Sequence, residues 1–239
     1  MTQTNLDFQA GEVLLVDKPL NWTSFDVVNK LRWKLKKKYG IKRFKVGHAG
    51  TLDPLATGLL IICTGKKTKT IPEIVATKKT YTGTILLGKT TPSFDLETEY
   101  NGTFPIEHIT KELLAHVRKS FLGEQLQTPP IFSAKKIDGK RAYESARKGK
   151  AIEMKKSLIS IDSFEINDDN FPEIEFEITC SKGTYIRSIA NDFGEKCNSG
   201  GTLIKLRRTK VGDYSVSKAK SVEEWIEVID NHTPIRPTM

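Results

Sequence analysis

Asp53, in the stretch GHAGTLDPLATGLL (47–60), is a lone carboxylate set between two leucines and directly ahead of a proline. Two chemistries fit that setting. A carboxylate with apolar neighbours is partly buried and needs a cation to stay ionised. Alternatively, Asp-Pro is ordinary turn chemistry, because proline disfavours helical backbone at the residue before it and often opens a helix after an Asp cap. The tripeptide alone leaves both open. Gly47 and Gly50 are expected to let backbone approach a ligand closely.

A second informative stretch is CSKGTYIRSIANDFGE (180–195). Gly183 follows a strand pattern and Thr184-Tyr185-Ile186-Arg187 opens a helical one, which displays a basic side chain at a strand-to-helix junction. Taken singly, Arg187 reads as a surface residue and Tyr185 as a core ring. Beside an apolar-flanked Asp elsewhere, Arg187 becomes a candidate partner, since guanidinium is always charged and grips carboxylates with two donors.

Other chemistries find less support. His48 is one of four histidines, and no two are spaced as helical metal ligands would be. Ser24 with His48 lacks a GxSxG elbow, and Ser24 suits a helix cap better. GKKTKT (65–70) lacks the spacing of a nucleotide-binding P-loop, leaving Lys66, Lys67 and Lys69 as possible contacts to a nucleic-acid backbone. Cys63, Cys180 and Cys197 form no CxxC pair, which points to neither a disulfide framework nor a zinc knuckle.

These residues need a scaffold. Glu12–Val16 reads as a strand, followed by a helix capped by Thr23 or Ser24 with Val27, Val28, Leu31 and Leu35 at helical spacing. Leu59–Cys63, Lys79–Leu87 and the strictly alternating Glu173–Cys180 read as strands; Ile109–Phe121 and Ile186–Phe193 carry helical periodicity. Strands and helices alternate without even spacing, which predicts an α+β domain, a mixed sheet with helices against it. Residues 127–156 lose the pattern in a Pro-Pro turn and a long basic stretch, and the last 15 or so residues have room only for a short helix and a tail.

The 239 residues, 38% of them hydrophobic, suffice for a core, and no apolar run approaches bilayer length. The polar N-terminus shows no leader pattern, so a soluble, unprocessed cytoplasmic protein is expected. The net charge of +9 is segregated. Basic residues crowd 33–45, 65–70, 133–156 and 203–210, interleaved with aromatics, whereas 162–177 carries acids and no base. Separate basic segments of this kind suggest a polyanion surface, although any single lysine run also suits a solvated helix face.

Five blocks in order, LLVDKPLNWTSFDVV, GHAGTLDPLATGLLIICTG, KTYTGTILLG, PPIFSAKKIDGKRAYESARKG, and CSKGTYIRSIANDFGE with LIKLRRTKVG, resemble the tRNA pseudouridine synthase B family from about Gly11 to Val216. The resemblance implies the pseudouridine synthase fold, a mixed, largely antiparallel sheet with flanking helices, over residues 1–239 as a single catalytic domain. It implies conversion of uridine-55 in the T-loop of transfer RNA to pseudouridine by base flipping, without metal or other cofactor, in a monomer with no membrane partner. Asp53 would be the catalytic carboxylate, Tyr81 the ring that stacks on the target uracil, and Arg187 the partner of Asp53. His48, Tyr185 and Leu206 would line the pocket of the extruded nucleotide, Asp95 would help hold the flipped base, and Lys18 and Lys69 would lie near the RNA backbone. The basic stretch 127–156 would be an insertion that closes over the RNA, with Lys135, Lys136, Lys140, Arg141 and Arg147 facing phosphates. Fewer than 25 residues follow Val216, so the small C-terminal RNA-binding domain common in the family is expected to be missing, as in a stand-alone enzyme. The run KKKYGIKRFK before Val46 is longer than usual for the family, and Ala49 stands where Thr is frequent. A second reading, an RNA-binding folding helper for transfer RNA, shares the basic face but has no need of an ionised Asp53; a metal hydrolase would need ligand clusters that the sequence lacks.

Overall fold

A computed structural model of the chain describes residues 6–132 and 154–233, with the backbone alone of 136–137 and 140–141. The strands run β1 (Val13–Lys18), β2 (Val46–His48), β3 (Ala56–Thr64), β4 (Lys79–Leu87), β5 (Lys89–Thr90), β6 (Gly102–Thr103), β7 (Gly123–Gln127), β8 (Lys136–Ile137), β9 (Lys140–Arg141), β10 (Ser157–Asn170), β11 (Glu173–Cys180), β12 (Gly201–Val211) and β13 (Tyr214–Ser215). The helices described are α1 (Ser24–Tyr39), α2 (Ile71–Ala76), α3 (Lys111–Lys119), α4 (Ile186–Lys196) and α5 (Val222–Asn231), with a short 3-10 helix at Gly65–Thr70. β3 pairs with β1 and β2, β10 with β7 and β11, and β12 with β13, all antiparallel, and the fold is the expected α+β class.

The chain forms two compact units, one of residues 1–79 with 207–239 and one of residues 80–206. In the first, β1 pairs with β3 so that Lys18 faces Gly58 and Asp17 faces Leu59, while β2 pairs with β3 through His48 and Ile62. Thr23 caps α1 in a capping box with Asp26, and Val27, Val28, Leu31 and Leu35 form its buried stripe. Lys36, Lys37 and Lys38 occupy the last turn, where the helix dipole favours cations, and Gly40 ends the helix in left-handed backbone at φ 65°. On α5, Ser221 makes a second capping box with Glu224, and Trp225 donates its indole N–H to the carbonyl of Leu15 at 2.8 Å. A core of Ala49, Leu59, Ile61, Cys63, Ile74 and Val211 lies beneath the strands of this unit.

In the second unit, β10 pairs with both β11 and β7, and α3 and α4 bring Phe121 and Phe193 against Phe164, with ring centroids 5.7–6.0 Å apart. Two long strands, β10 and β12, went unread in the sequence. In β10 the register shifts between Ile161 and Ser163, which breaks the two-residue alternation that marks a strand. In β12 the run Lys205-Leu206-Arg207-Arg208 looked like a basic surface segment, because buried arginine is indistinguishable from solvated arginine by residue type.

Candidate active site

Asp53 lies in a turn and not at a helix start: the N–H of Ala56 donates to the Asp53 carbonyl at 3.1 Å, and the chain goes straight into β3. Proline after Asp therefore serves the turn reading of the tripeptide, and the half-buried carboxylate serves the other as well. The turn is held from several directions within its unit. Ser24, 2% exposed at the start of α1, accepts from Leu52 N–H at 2.8 Å and donates to the Leu52 carbonyl at 3.1 Å. Arg208, 1% exposed, donates through Nε to Leu59 at 2.8 Å and through its two terminal nitrogens to the carbonyls of Thr51 (3.3 Å) and Gly50 (3.1 Å). One rigid fork thus spans the loop ahead of Asp53 and the strand after it.

Lys18 is a correction to the expectation of an RNA-backbone contact. The residue is fully buried, and its ammonium donates to the carbonyls of Trp22 (2.6 Å), Pro19 (2.8 Å) and Pro54 (3.4 Å). Burial pulls its pKa down to about 8, opposed by the nearby carboxylates of Asp53 and Asp26. Lys18 is therefore a buried cation of the first unit that interacts electrostatically with Asp53. Lys69 is exposed on the 3-10 helix, as a backbone contact would require. His48 is half-buried on β2, with burial lowering its pKa, so the ring is neutral at pH 7; its buried Nδ1 makes no hydrogen bond among the described residues.

Gly50 adopts φ 101°, a turn conformation that other residues rarely take, and a Cβ at Gly47 would press within 2.9 Å of the Ile71 side chain, so both positions also meet a demand of the chain's own packing.

In the second unit, Arg187 is 4% exposed near the start of α4. Its Nε lies 3.6 Å from the Asp95 carboxylate, and its NH1 donates to the carbonyls of Phe132 (2.9 Å) and Ser93 (3.4 Å). Asp95, 5% exposed, is pinned by its own backbone: its carbonyl accepts from Thr91 Oγ1 (2.6 Å) and Ser93 Oγ (3.1 Å), and its Oδ1 accepts from Glu97 N–H at 3.0 Å. Phe94 takes φ 65°, uncommon for a bulky side chain, and its carbonyl accepts from Leu203 N–H at 2.9 Å. Tyr81 is buried on β4 and Leu206 half-buried on β12. Tyr185 caps α4 and exchanges two backbone hydrogen bonds with the Gln127 side chain, at 2.8 and 3.0 Å. Lys135, Lys136, Lys140, Arg141 and Arg147, expected to face phosphates, have side chains outside the described residues.

Ser24, Arg207 and Arg208 were missed as site residues. Arg207 forms a two-pronged pair with Asp17, at 3.0 and 2.6 Å, one residue from Lys18. Adjacent residues on a strand point to opposite faces, so two neighbouring arginines in LIKLRRTK could already have been assigned one inward role. For Ser24 the signal was Thr23 with Asp26, which fills the cap and frees the serine for another task.

Residues 36–186 match the model described as TruB family pseudouridylate synthase (N terminal domain), and the chain belongs to that family of isomerases acting on RNA. It is similar to proteins named tRNA pseudouridine synthase B: 54% identical to that of Phocaeicola vulgatus, over 94% of this chain and 96% of the relative, and 58% identical to that of Flavobacterium johnsoniae, over 89% and 93%. Among solved structures, one chain of a Cbf5-Nop10-Gar1 complex shares the fold, with a TM-score of 0.68 at 24% identity, over 92% of this chain and 54% of that one.

Proposed function

We propose that this protein isomerises uridine-55 in the T-arm of transfer RNA to pseudouridine, with Asp53 as the catalytic carboxylate. The observation that carries the assignment is the turn around Asp53, fixed by Ser24, Lys18 and Arg208 so that a half-buried carboxylate has a set direction. The relatives named tRNA pseudouridine synthase B, alike over nearly their whole length, support the substrate.

The net reaction breaks the N1–C1′ bond, forms C5–C1′, removes the C5 proton and leaves a proton on N1; the composition is unchanged, so nothing is oxidised or reduced. An ionised carboxylate has three possible first steps: attack on C6, attack on C1′, or removal of the C2′ proton. All three need Asp53 deprotonated. Lys18 within the same unit favours that state, and Arg187 is proposed as the second cation that does so. Tyr81 offers a face for the uracil; His48, Tyr185 and Leu206 line the nucleotide pocket, and Asp95, paired with Arg187, helps to hold the flipped base. A stacked base cannot reach such a pocket, so the nucleotide is flipped out at a cost of a few kcal/mol. The insertion at about 127–156 is proposed to clamp the T-arm, and the chain to work as one catalytic domain in the cytoplasm.

Release of tritium from C5-labelled uridine in a T-arm stem-loop tests this. Wild type turns over and Asp53→Asn does not, while both bind; a stem-loop with cytidine at position 55 and label elsewhere stays silent. Binding without turnover by wild type would favour the RNA-folding-helper reading instead.

A further inference from the structure

The run between α1 and β2, together with the adjoining face of α1, builds a cleft of about 490 Å³. Arg32 and Lys36 from α1 and Lys42, Arg43 and Lys45 from the connection line it, and no carboxylate does. Arg32 is anchored: its NH2 donates to the Val46 carbonyl at 3.1 Å, its NH1 to Asn29 at 3.2 Å, and its guanidinium lies 5.9 Å from the Phe25 ring centroid. Among the described residues, Lys36, Lys42, Arg43 and Lys45 have no ion-pair partner. Lys34, on the same helix but outside the cleft, does pair, with Asp230 at 2.6 Å. Lys30, Lys37 and Lys38 of α1 likewise make no ion pair among the described residues, so what sets the cleft apart is the convergence of five cations on one concavity with no carboxylate in its lining.

Five like charges around a concavity repel one another, and a polyanion relieves that cost while releasing its own counterions. The cleft wall includes Gly47, directly before His48 on β2 and six positions before Asp53, so its rim continues into the catalytic motif within the same unit. Thr68 lines the cleft from the 3-10 helix, its hydroxyl donating to the Gly65 carbonyl at 2.8 Å, next to exposed Lys67 and Lys69. We propose that this cleft is a backbone-phosphate subsite for RNA, gripping consecutive phosphodiesters of the substrate outside the nucleotide that is isomerised. The inference rests on the RNA-isomerase reading and is independent of the 127–156 insertion.

The test compares two triple variants of the full chain that lose the same three charges. Lys42→Ala/Arg43→Ala/Lys45→Ala removes three of the five cleft cations; Lys111→Ala/Lys119→Ala/Lys218→Ala removes exposed lysines elsewhere. Binding of a T-arm stem-loop is followed by fluorescence anisotropy across a salt series, with thermal melting to confirm folding. The cleft variant weakens binding about 10-fold or more at 0.1 M salt and lowers the slope of log Kd against log salt by about 2, while the control changes affinity less than about 3-fold. Lys42→Arg/Lys45→Arg keeps the slope. Equal losses in the two triple variants, or an unchanged slope in the cleft variant, would overturn the subsite. So would saturable pyrophosphate binding that the cleft variant loses while its RNA affinity stays intact, since that assigns the cleft to free phosphate. Tritium release by wild type is measured in parallel. Cleft-dependent RNA binding without turnover removes the isomerase reading and keeps the cleft; turnover by wild type with unchanged RNA affinity in the variant does the reverse.

Discussion

Ser24 and Leu52 exchange a pair of hydrogen bonds through a single hydroxyl, which accepts from the Leu52 N–H at 2.8 Å and donates to its carbonyl at 3.1 Å. The first residue of α1 is thereby tied to the residue directly before Asp53. With Ser24 2% exposed, water cannot replace the hydroxyl easily.

Ser24→Ala is expected to destabilise the chain by about 1–3 kcal/mol, because the buried Leu52 donor and acceptor lose their partner. It also loosens the Asp53 turn, so the single-turnover rate falls more than RNA affinity does. Chemical denaturation and tritium release, run on the same protein, check both; an unchanged rate would show that the tether does not position Asp53.

For Arg208, lysine is not a conservative replacement. An ammonium cannot span Leu59, Thr51 and Gly50 as the planar fork does, so Arg208→Lys should lose about 2–4 kcal/mol of stability. A loss below about 1 kcal/mol in urea titrations would refute the clamp.

Lys18 makes stability depend on pH in the alkaline range. Its folded pKa, about 8, lies below the ordinary 10.5, so between those values the unfolded chain binds more protons and stability rises with pH. Below about pH 8 both states hold the proton and this dependence vanishes. Denaturant midpoints measured from pH 8 to 10 should climb in wild type and climb less in Lys18→Met. Lys18→Met also takes the ammonium donor from the carbonyls of Pro19 and Trp22, while the Pro54 carbonyl keeps the Asn21 N–H, and it is expected to be less stable at pH 7 by about 2–3 kcal/mol.

Arg187 and Asp95 form a buried pair, and removing Arg187 leaves the buried Asp95 carboxylate without that cation. Arg187→Met should cost about 3–5 kcal/mol, with part of that recovered in Asp95→Asn/Arg187→Met. Additive losses in the double-mutant cycle would mean that the two charges do not stabilise each other.

Much of the scaffold was legible from residue patterns. Lys79–Leu87 and Glu173–Cys180 are strands with the expected bounds, and the buried stripe of α1 is the one read from spacing. Glu173–Cys180 alternates one apolar and one polar face, Lys79–Leu87 is rich in β-branched and aromatic residues, and α1 repeats its apolar residues at helical spacing. Where a bulge interrupts the period, as after Ile161, or where arginine takes a core position, as at Arg208, composition misleads.

The motif around Asp53 was identifiable in sequence because its constraints are local: proline restricts the preceding backbone, and apolar neighbours draw the carboxylate inward. Family membership followed from the same blocks. The partners were another matter. That Lys18 faces inward to three carbonyls, that Arg208 reaches back 158 positions to Gly50, and that Arg187 sits beside Asp95 depend on contacts between segments far apart in the chain. A charged residue reads the same in sequence whether water or a carbonyl satisfies it; burial decides which, and burial exists only once the chain has folded.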